Sequence, residues 1–473
     1  MDEQQNTEHR PVNPRRKRKT QTEIFKEAYL PALIACAAVV LIIIFIIGSI
    51  TRSIQRNKLD AQLATQSSEA TENGLAALEE EANLLAELAA LQAESYDYEA
   101  ALETIESFSG IYTDFPILAE RHKQYIKALD EMVTWDDPAK IYNLSLHMLI
   151  ADPQRAFTYS VTYLRQKFNE NFITTTEFQN ILQQLYKNGY ILIDIEDITY
   201  GTEFKPISLP AGKKPFILTQ TNVNYYNYML GDNENYIPDA SGAGFASRLI
   251  IDANGNITCE MVNADGETVN GAYDMVPILE SFIQTHPDFS YRGARAILAV
   301  SGEDGIFGYR INHSAINDNR LTTVQYEKET VGAREICQKL KTLGYHIACY
   351  TYANTAYGEK TPTEIHADMK KWTDEIADYV GVTPYFVFAQ NSDIGAPGVA
   401  YAGDLFDALR SYGFTHYFGF CNANNPWYYQ DTQYMRQGRI QITGSILSQH
   451  GDWFAGIFDA STVLDPSRGI PSS

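Results

Sequence analysis

Cysteine and basic residues are both scarce in this sequence. Its five cysteines lie far apart in 473 residues and none forms a Cys-x-x-Cys pair, which argues against a zinc ribbon and against a disulfide framework. Residues 1–27 hold seven Lys or Arg and five acids, so the rest of the chain has 30 basic and 54 acidic residues. Because nucleic-acid phosphates bind positive surfaces, this balance predicts no nucleic-acid partner for the large part of the chain.

Charged residues are absent from residues 28–51, which contain nine consecutive apolar residues, Val39–Ile47. This uncharged stretch is long enough to cross a bilayer as one helix, and longer than the apolar core of a cleaved signal peptide. The basic cluster Arg15–Lys19 precedes it, and beside an apolar run such a cluster indicates membrane topology. We expect a single-pass anchor in a bacterial cell membrane, with residues 1–27 as a cytoplasmic tail and the large domain outside.

Residues 52–135 predict a helical stalk that holds the large domain away from the membrane. Its apolar residues keep a three-four spacing over barely two heptads, at Leu75, Leu78, Ala82, Leu85 and Ala89. This spacing is compatible with a short coiled coil that pairs two copies into a homo-oligomer, and equally with a helix packed on its neighbours. Segments 98–108 and 118–132 predict a helical hairpin.

Residues 141–473 alternate between apolar runs of strand length and amphipathic runs of helix length, which predicts an α/β fold. Phe216–Leu218 is one such strand, and the polar residues Thr219–Asn222 follow it. In barrels of parallel strands, the residues that follow a strand line the active site. Residues 229–291 are rich in Gly, Asn and Asp and include a hairpin with an Asn-Gly turn, so we expect a β-rich insertion there.

The order of these elements resembles the polysaccharide deacetylase family, metal-dependent carbohydrate esterases that remove acetyl groups from cell-wall glycans. The family's first motif is a strand ending in Thr-Phe-Asp-Asp, and this chain has Thr219-Gln220-Thr221-Asn222 there. The resemblance implies a distorted (β/α) barrel with the catalytic base position at Thr221 and a metal-ligand position at Asn222. Neutral residues replace both acids.

The family's second motif, His-Thr-x-Ser-His, supplies two further metal ligands, and this chain has Tyr350 and Asn354 at those positions. The catalytic acid of the family comes from a Leu-x-His triplet, for which residues 447–450, ending at His450, are the nearest candidate. A phenol with a pKa near ~10 and two amides are weak ligands for zinc. We therefore predict no cofactor, with zinc or another divalent metal present only if an atypical site is active.

Three functions are compatible with this sequence. The first is a pseudoenzyme that binds or regulates cell-envelope glycan through side chains near the strand ends: His147, Tyr225, Tyr226, Tyr352, Gln390, Asn391 and Trp427. The second is an active deacetylase for N-acetyl or O-acetyl groups, whose displaced acids and histidines would come from Asp152, Asp304, Asp393, His313, His416 and His450. The third is a structural envelope protein. Without a metal, the pKa of the attacking water stays near ~15.7 instead of falling to about 7, which favours the first function.

Overall fold

The computed structural model describes residues 74–231, 236–422 and 424–468. Its strands are β1 (Val133–Trp135), β2 (Tyr142–Leu146), β3 (Tyr190–Leu192), β4 (Thr199–Tyr200), β5 (Glu203–Phe204), β6 (Ile207–Leu209), β7 (Lys214–Thr221), β8 (Arg248–Ile251), β9 (Ile257–Val262), β10 (Thr268–Gly271), β11 (Ile297–Val300), β12 (His346–Cys349), β13 (Tyr385–Val387), β14 (His416–Phe420), β15 (Tyr428–Gln430) and β16 (Met435–Gln441). Its α-helices are α1 (Gly74–Glu94), α2 (Tyr98–Glu106), α3 (Pro116–Asp130), α4 (Pro153–Phe157), α5 (Thr162–Asn171), α6 (Thr175–Lys187), α7 (Met275–Thr285), α8 (His313–Asn317), α9 (Thr323–Leu343), α10 (Pro362–Glu375), α11 (Ala377–Val380), α12 (Asp404–Arg410), α13 (Gly444–Gln449) and α14 (Ala460–Val463).

Seven parallel strands close into a barrel. Their order is β2, β7, β11, β12, β13, β14 and β16, and β16 pairs with β2 to complete the circle. Outside this circle, β3 pairs in parallel with the start of β7, and β15 pairs antiparallel with β16. The predicted α/β class with a (β/α) barrel is therefore confirmed.

Strand β7 continues three residues beyond the predicted end at Leu218. Ile217 packs inside the barrel, whereas Phe216 and Leu218 pack outward against the helices. Thr219 and Thr221 are fully buried because their hydroxyl groups find acceptors, the Oδ1 atom of Asn143 and the carbonyl oxygen of Leu146. Polar side chains can thus continue a strand inside a barrel, so only Asn222 of the four motif residues follows the strand.

The longest barrel helices begin at threonine residues, as the sequence indicates for α6. The Thr174 hydroxyl accepts the backbone N–H of Glu177, whose carboxylate accepts the N–H of Thr174 in return. Thr322 and Thr361 make the same reciprocal cap at α9 and α10. Each cap satisfies backbone donors that would otherwise lack partners and fixes where the helix starts.

The insertion at residues 229–291 contains the predicted hairpin of β8 and β9, and β10 adds a third antiparallel strand. It is not wholly β-rich, because it ends in the eleven-residue helix α7. The buried carboxylate of Asp274 joins the insertion to the barrel. It accepts the backbone N–H of Leu149 at 2.9 Å, the amide of Gln220 at 2.8 Å and the hydroxyl of Tyr225 at 2.5 Å.

The predicted helical stalk is a three-helix unit in its described part, residues 74–130. The apolar seam of α1 packs against α2 and α3 of the same chain, so this part of it follows the alternative of a helix packed on its neighbours. The prediction of helix to residue 135 was wrong, because Val133–Trp135 pairs antiparallel with β6. The unit contacts the barrel domain directly, since the backbone N–H of Arg292 donates to the carbonyl of Ser95 at 2.8 Å.

The predicted basic tail (1–27), the predicted membrane helix (28–51) and residues 52–73 lie outside the described residues. Within the described ranges, no helix combines the length and the apolar character that crossing a bilayer would need. The membrane anchor and its topology therefore stay predictions.

The carboxylate of Glu177 also anchors the end of the described chain, which gives a test of the fold. Glu177 is fully buried and accepts both Nε and Nη2 of Arg468, at 2.7 and 2.6 Å. We expect Arg468→Met to lower the free energy of unfolding by about 3–5 kcal/mol, because it leaves a buried charge uncompensated. Urea denaturation measures this loss. Arg410→Met at an exposed arginine is the control, and a loss below about 1 kcal/mol for Arg468→Met would contradict the assignment.

Candidate functional site

The carboxyl ends of four neighbouring barrel strands carry a strained backbone. Eight residues other than glycine have φ between 48° and 62° just after β7, β11, β12 and β13: Asn222, Tyr225, Asp304, Phe307, Thr351, Asn354, Gln390 and Asn391. This left-handed region is uncommon for such residues, above all for a β-branched threonine. Each costs about 1–3 kcal/mol and such residues concentrate at functional sites, which marks this end of the barrel as the candidate site.

A chain of hydrogen bonds between uncharged side chains crosses the barrel axis at this end. The Nδ1 atom of His147 lies 2.8 Å from the hydroxyl of Thr221, and its Nε2 atom lies 2.8 Å from the amide nitrogen of Gln441. The oxygen of the Gln441 amide accepts from Asn391 at 2.9 Å. Because the Gln441 nitrogen can only donate, Nε2 of His147 is the acceptor and Nδ1 carries the proton.

One buried cation, Arg439, lies beneath this chain inside the barrel. Its guanidinium donates to the hydroxyl of Ser145 at 2.8 Å and to the carbonyl of Phe388 at 3.1 Å. No carboxylate within the described ranges lies at ion-pair distance from it. Burial, together with Arg439, lowers the pKa of His147 to about 4, so His147 is neutral at pH 7. Burial raises the pKa of Tyr350, although the charge of Arg439 opposes this rise.

A cleft of about 260 Å³ opens beside the barrel axis, near the ends of β7, β11 and β12. Its walls combine amides, phenols, carboxylates and apolar side chains: Met148, Phe172, Asn222, Tyr226, Tyr228, Met229, Glu303, Asp304 and Asn354. Two of the three metal-ligand positions, Asn222 and Asn354, thus lie in one cavity.

Tyr228 gives this cleft an aromatic wall. Its side chain is 45% exposed, and its ring stacks on that of Tyr226 at 5.8 Å with an interplanar angle of 23°. The Tyr226 hydroxyl is fixed by the Oδ1 atom of Asn222 at 3.0 Å and the Oγ atom of Ser301 at 2.8 Å. A fixed and partly exposed ring of this kind suits the apolar face of a sugar or of another flat ligand.

Asn354 presents an unsatisfied acceptor at the same place. Its Oδ1 atom is buried, yet no hydrogen-bond donor of the described residues reaches it. A buried acceptor without a donor costs about 1–3 kcal/mol, so such atoms are rare unless a ligand or water supplies the donor. Asn354 lines the cleft, and its unsatisfied Oδ1 atom adds a further energetic cost at this end of the barrel.

The metal that the deacetylase resemblance implies does not fit these residues. The Oδ1 atom of Asn222 already accepts the Tyr226 hydroxyl, and the Tyr350 side chain is 97% buried. None of the three positions Asn222, Tyr350 and Asn354 supplies an anionic ligand, and the positive charge of Arg439 opposes a second cation on the barrel axis. No hydrolytic step through a metal follows from this arrangement.

The structure places the seven predicted glycan-binding residues differently. Tyr226 lines the cleft, whereas Tyr225 is buried on Asp274 and Tyr352 is buried with its hydroxyl on Glu375. The remaining four lie outside the cleft wall: His147 and Asn391 in the chain across the axis, Gln390 with its amide 3.4 Å from the carbonyl of Asn354, and Trp427 with its indole N–H on the carbonyl of Phe420.

The displaced acids and histidines do not form one new site among the described residues. His450 is exposed at the end of α13 and contacts the ring of Trp453, His416 begins β14 at the opposite end of the barrel, and Asp393 pairs with Arg436. Asp152 caps α4, and His313 faces Glu375. Only Asp304 lines the cleft.

Sequence reasoning missed Glu303 and Arg439. Glu303 comes three residues after the buried strand β11, a position at which a barrel places functional side chains, so its location was a usable signal. Arg439 gave no such signal, because an arginine in a strand is normally predicted to be exposed. Only the closed barrel shows that this one is buried.

A second group of ligand-type side chains, Asp194, Glu196 and His346, lies at the opposite end of the barrel. His346 is the first residue of β12, and its Nε2 atom lies 2.7 and 2.8 Å from the two carboxylate oxygens of Asp194. Burial alone would lower the pKa of His346, but the Asp194 carboxylate raises it to about 9. The Asp194 and His346 side chains thus form an ion pair at this end of the barrel.

A larger cavity, of about 720 Å³, lies away from the cleft. It lies beside Lys214, the first residue of β7, and is lined mainly by small residues of α13, α14 and their connection. Its lining includes Leu447 and Ser448 of the segment compared with the Leu-x-His triplet, but neither His450 nor any of Thr221, Asn222, Tyr350 and Asn354. We therefore place the candidate site in the smaller cleft.

No family model matches this chain, and no curated protein matches it. Among solved structures, the Streptococcus pyogenes deacetylase PplD in complex with acetate is similar, at 13% identity over 66% of this chain and 95% of that chain, with a TM-score of 0.32. At this identity and TM-score the likeness does not identify an activity.

The ion pair of His346 and Asp194 predicts how stability depends on pH. Because folding raises the pKa of His346 from 6.5 to about 9, its contribution is complete below pH 6.5 and is lost as the pH rises through about 9. We expect wild-type stability to fall by about 3 kcal/mol over this range, and His346→Gln to remove the fall. Urea denaturation at several pH values measures it. His366→Gln, at an exposed histidine, should keep the wild-type slope, and an unchanged slope in His346→Gln would contradict the assignment.

Proposed function

We propose that this protein binds saccharide in the cleft between the ends of β7, β11 and β12 and does not hydrolyse it. The observation that carries the proposal is the partly exposed ring of Tyr228 in a cleft whose wall also contains the amide side chains of Asn222 and Asn354. Sugars match this pair of features, because one face of the ring is apolar and the rim carries O–H or N–H donors.

The neutral motif positions support binding over metal-dependent deacetylation. A metal lowers the pKa of a bound water from about 15.7 to about 7, and a general base contributes a factor of about 10² to 10⁴. Thr221, Asn222, Tyr350 and Asn354 supply neither a charge to hold the metal nor a base. With the predicted membrane anchor, the protein would present this cleft to glycan of the cell envelope.

An active hydrolase with an atypical site is the second candidate, and Glu303 favours it. Burial and the charges of Asp304 and Asp368 raise the pKa of the Glu303 carboxyl group, which lies in the cleft. A carboxyl group with a raised pKa is suited to general acid–base catalysis. This candidate requires turnover, whereas the binding proposal requires a stable complex.

Calorimetric titration with sugar tetramers tests the proposal. The panel contains a neutral glucan, an N-acetylated amino sugar and its free-amine form. We expect at least one to bind, and Tyr228→Ala and Asn354→Ala each to weaken that binding about tenfold, since each removes a contact of about 1.4 kcal/mol. Tyr200→Ala, at a tyrosine that is 82% exposed outside the cleft, is the matched control.

Two results would overturn the binding proposal. One is the absence of binding by every tetramer to a folded protein. The other is release of acetate or of shorter sugars at a rate that Glu303→Gln abolishes, which would establish the hydrolase instead.

A further inference from the structure

Three ligand-type side chains lie together at the end of the barrel opposite the cleft. Asp194 and Glu196 belong to the segment that follows β3, and His346 is the first residue of β12. One carboxylate oxygen from each acid and one imidazole nitrogen lie within 4.8 Å of one another. Two ligands of one metal ion lie at most about twice the metal–ligand distance apart, roughly 4–5 Å, so a single ion can contact all three.

Glu196 makes this group larger than the ion pair of His346 and Asp194. The Tyr385 hydroxyl donates to its Oε1 atom at 2.8 Å. Among the described residues no other donor reaches this carboxylate, so its Oε2 atom is available to a cation. The ring of Tyr385 also contacts the His346 imidazole, with 4.9 Å between the ring centroids. Tyr385 therefore supports two of the three side chains, as neighbouring groups commonly do around metal ligands.

The charges at this place favour a cation. Asp194 and Glu196 carry two negative charges, whereas a protonated His346 supplies one positive charge. In the described ranges, no Lys or Arg nitrogen lies within 4.0 Å of either carboxylate. Arg292 forms its ion pairs with acids of the three-helix unit instead. A divalent cation beside a neutral imidazole would balance both carboxylates, which a single proton does not.

We propose that Asp194, Glu196 and His346 bind one divalent transition-metal ion, with zinc as the best match. Imidazole and carboxylate ligands together suit zinc, whereas Mg²⁺ and Ca²⁺ are bound mainly by oxygen. The ion takes the place of the proton between Nε2 of His346 and the Asp194 carboxylate, and that proton is released. The ion pair is thus the metal-free form of this site.

A small movement of two side chains makes room for the ion. Nε2 of His346 lies 2.7 and 2.8 Å from the carboxylate oxygens of Asp194. Two ligands of a tetrahedral zinc are roughly 3.3 Å apart, so these side chains must separate by about 0.5 Å. Both are partly exposed, which permits the movement and lets the ion enter from solvent. The bound ion joins two segments that are 152 residues apart in the chain and stabilises this end of the barrel.

Calorimetric titration of the full-length protein with Zn²⁺, after a chelator has removed any bound metal, tests this proposal. We expect one equivalent to bind, and His346→Gln and Glu196→Gln each to weaken that binding about tenfold or more, because each removes a ligand. Glu196 is exposed, so Glu196→Gln leaves the fold intact. Zinc should raise the urea concentration at the midpoint of unfolding for the wild type, because a ligand of the native state alone stabilises it. At the same zinc concentration, Glu196→Gln should show a smaller rise.

His366→Gln and Glu359→Gln, at an exposed histidine and an exposed glutamate outside this group, are the matched controls and should keep the wild-type affinity. Absence of zinc binding by the folded wild type would overturn the proposal. Binding that either His346→Gln or Glu196→Gln retains within about twofold would also overturn it, because the ion would then be held elsewhere on the surface. These outcomes are independent of saccharide binding in the cleft.

Discussion

The buried guanidinium of Arg439 has no carboxylate at ion-pair distance among the described residues. Its charge restricts which side chains can lie around it at the carboxyl end of the barrel. Among the described residues, Arg439 donates to the hydroxyl of Ser145, to the carbonyl of Phe388 just after β13 and to the carbonyl of Phe418 within β14. A desolvated charge of this kind is costly, so the groups around it must be acceptors or neutral. The lowered pKa of His147 and the neutral residues at Thr221 and Tyr350 are consistent with this electrostatic demand.

The barrel axis and the cleft differ in charge: uncharged side chains lie on the axis next to Arg439, and the carboxylates of Glu303 and Asp304 line the cleft. Above Arg439, the side chains of Thr221, His147, Gln441 and Asn391 form the chain of hydrogen bonds across the barrel axis. The negative groups lie to one side, on the loop that follows β11. The proposed binding cleft lies at the carboxyl ends of the parallel strands, which is where barrels of parallel strands place their active sites.

Much of the fold could be predicted from local patterns. The alternation of apolar runs indicates the barrel, the threonine before α6 marks its start, and the Asn-Gly pair gives the turn between β8 and β9. These features depend on neighbours in the sequence. The errors came where secondary structure depends on residues that are distant in the sequence. Val133–Trp135 is a strand because β6 lies beside it. Thr219 continues β7 because Asn143 supplies an acceptor for its hydroxyl group.

For the site, the sequence alone determined that the motif positions carry no ionisable acid or imidazole, because residue type is read directly. Only the tertiary structure decided which side chains share a cavity. It brought Asn222, Tyr228, Glu303 and Asn354 together, buried Tyr225 and Tyr352, and enclosed Arg439. The physical reason is that burial, hydrogen-bond partners and local charge arise from strands that are far apart in the chain and adjacent only after the barrel closes.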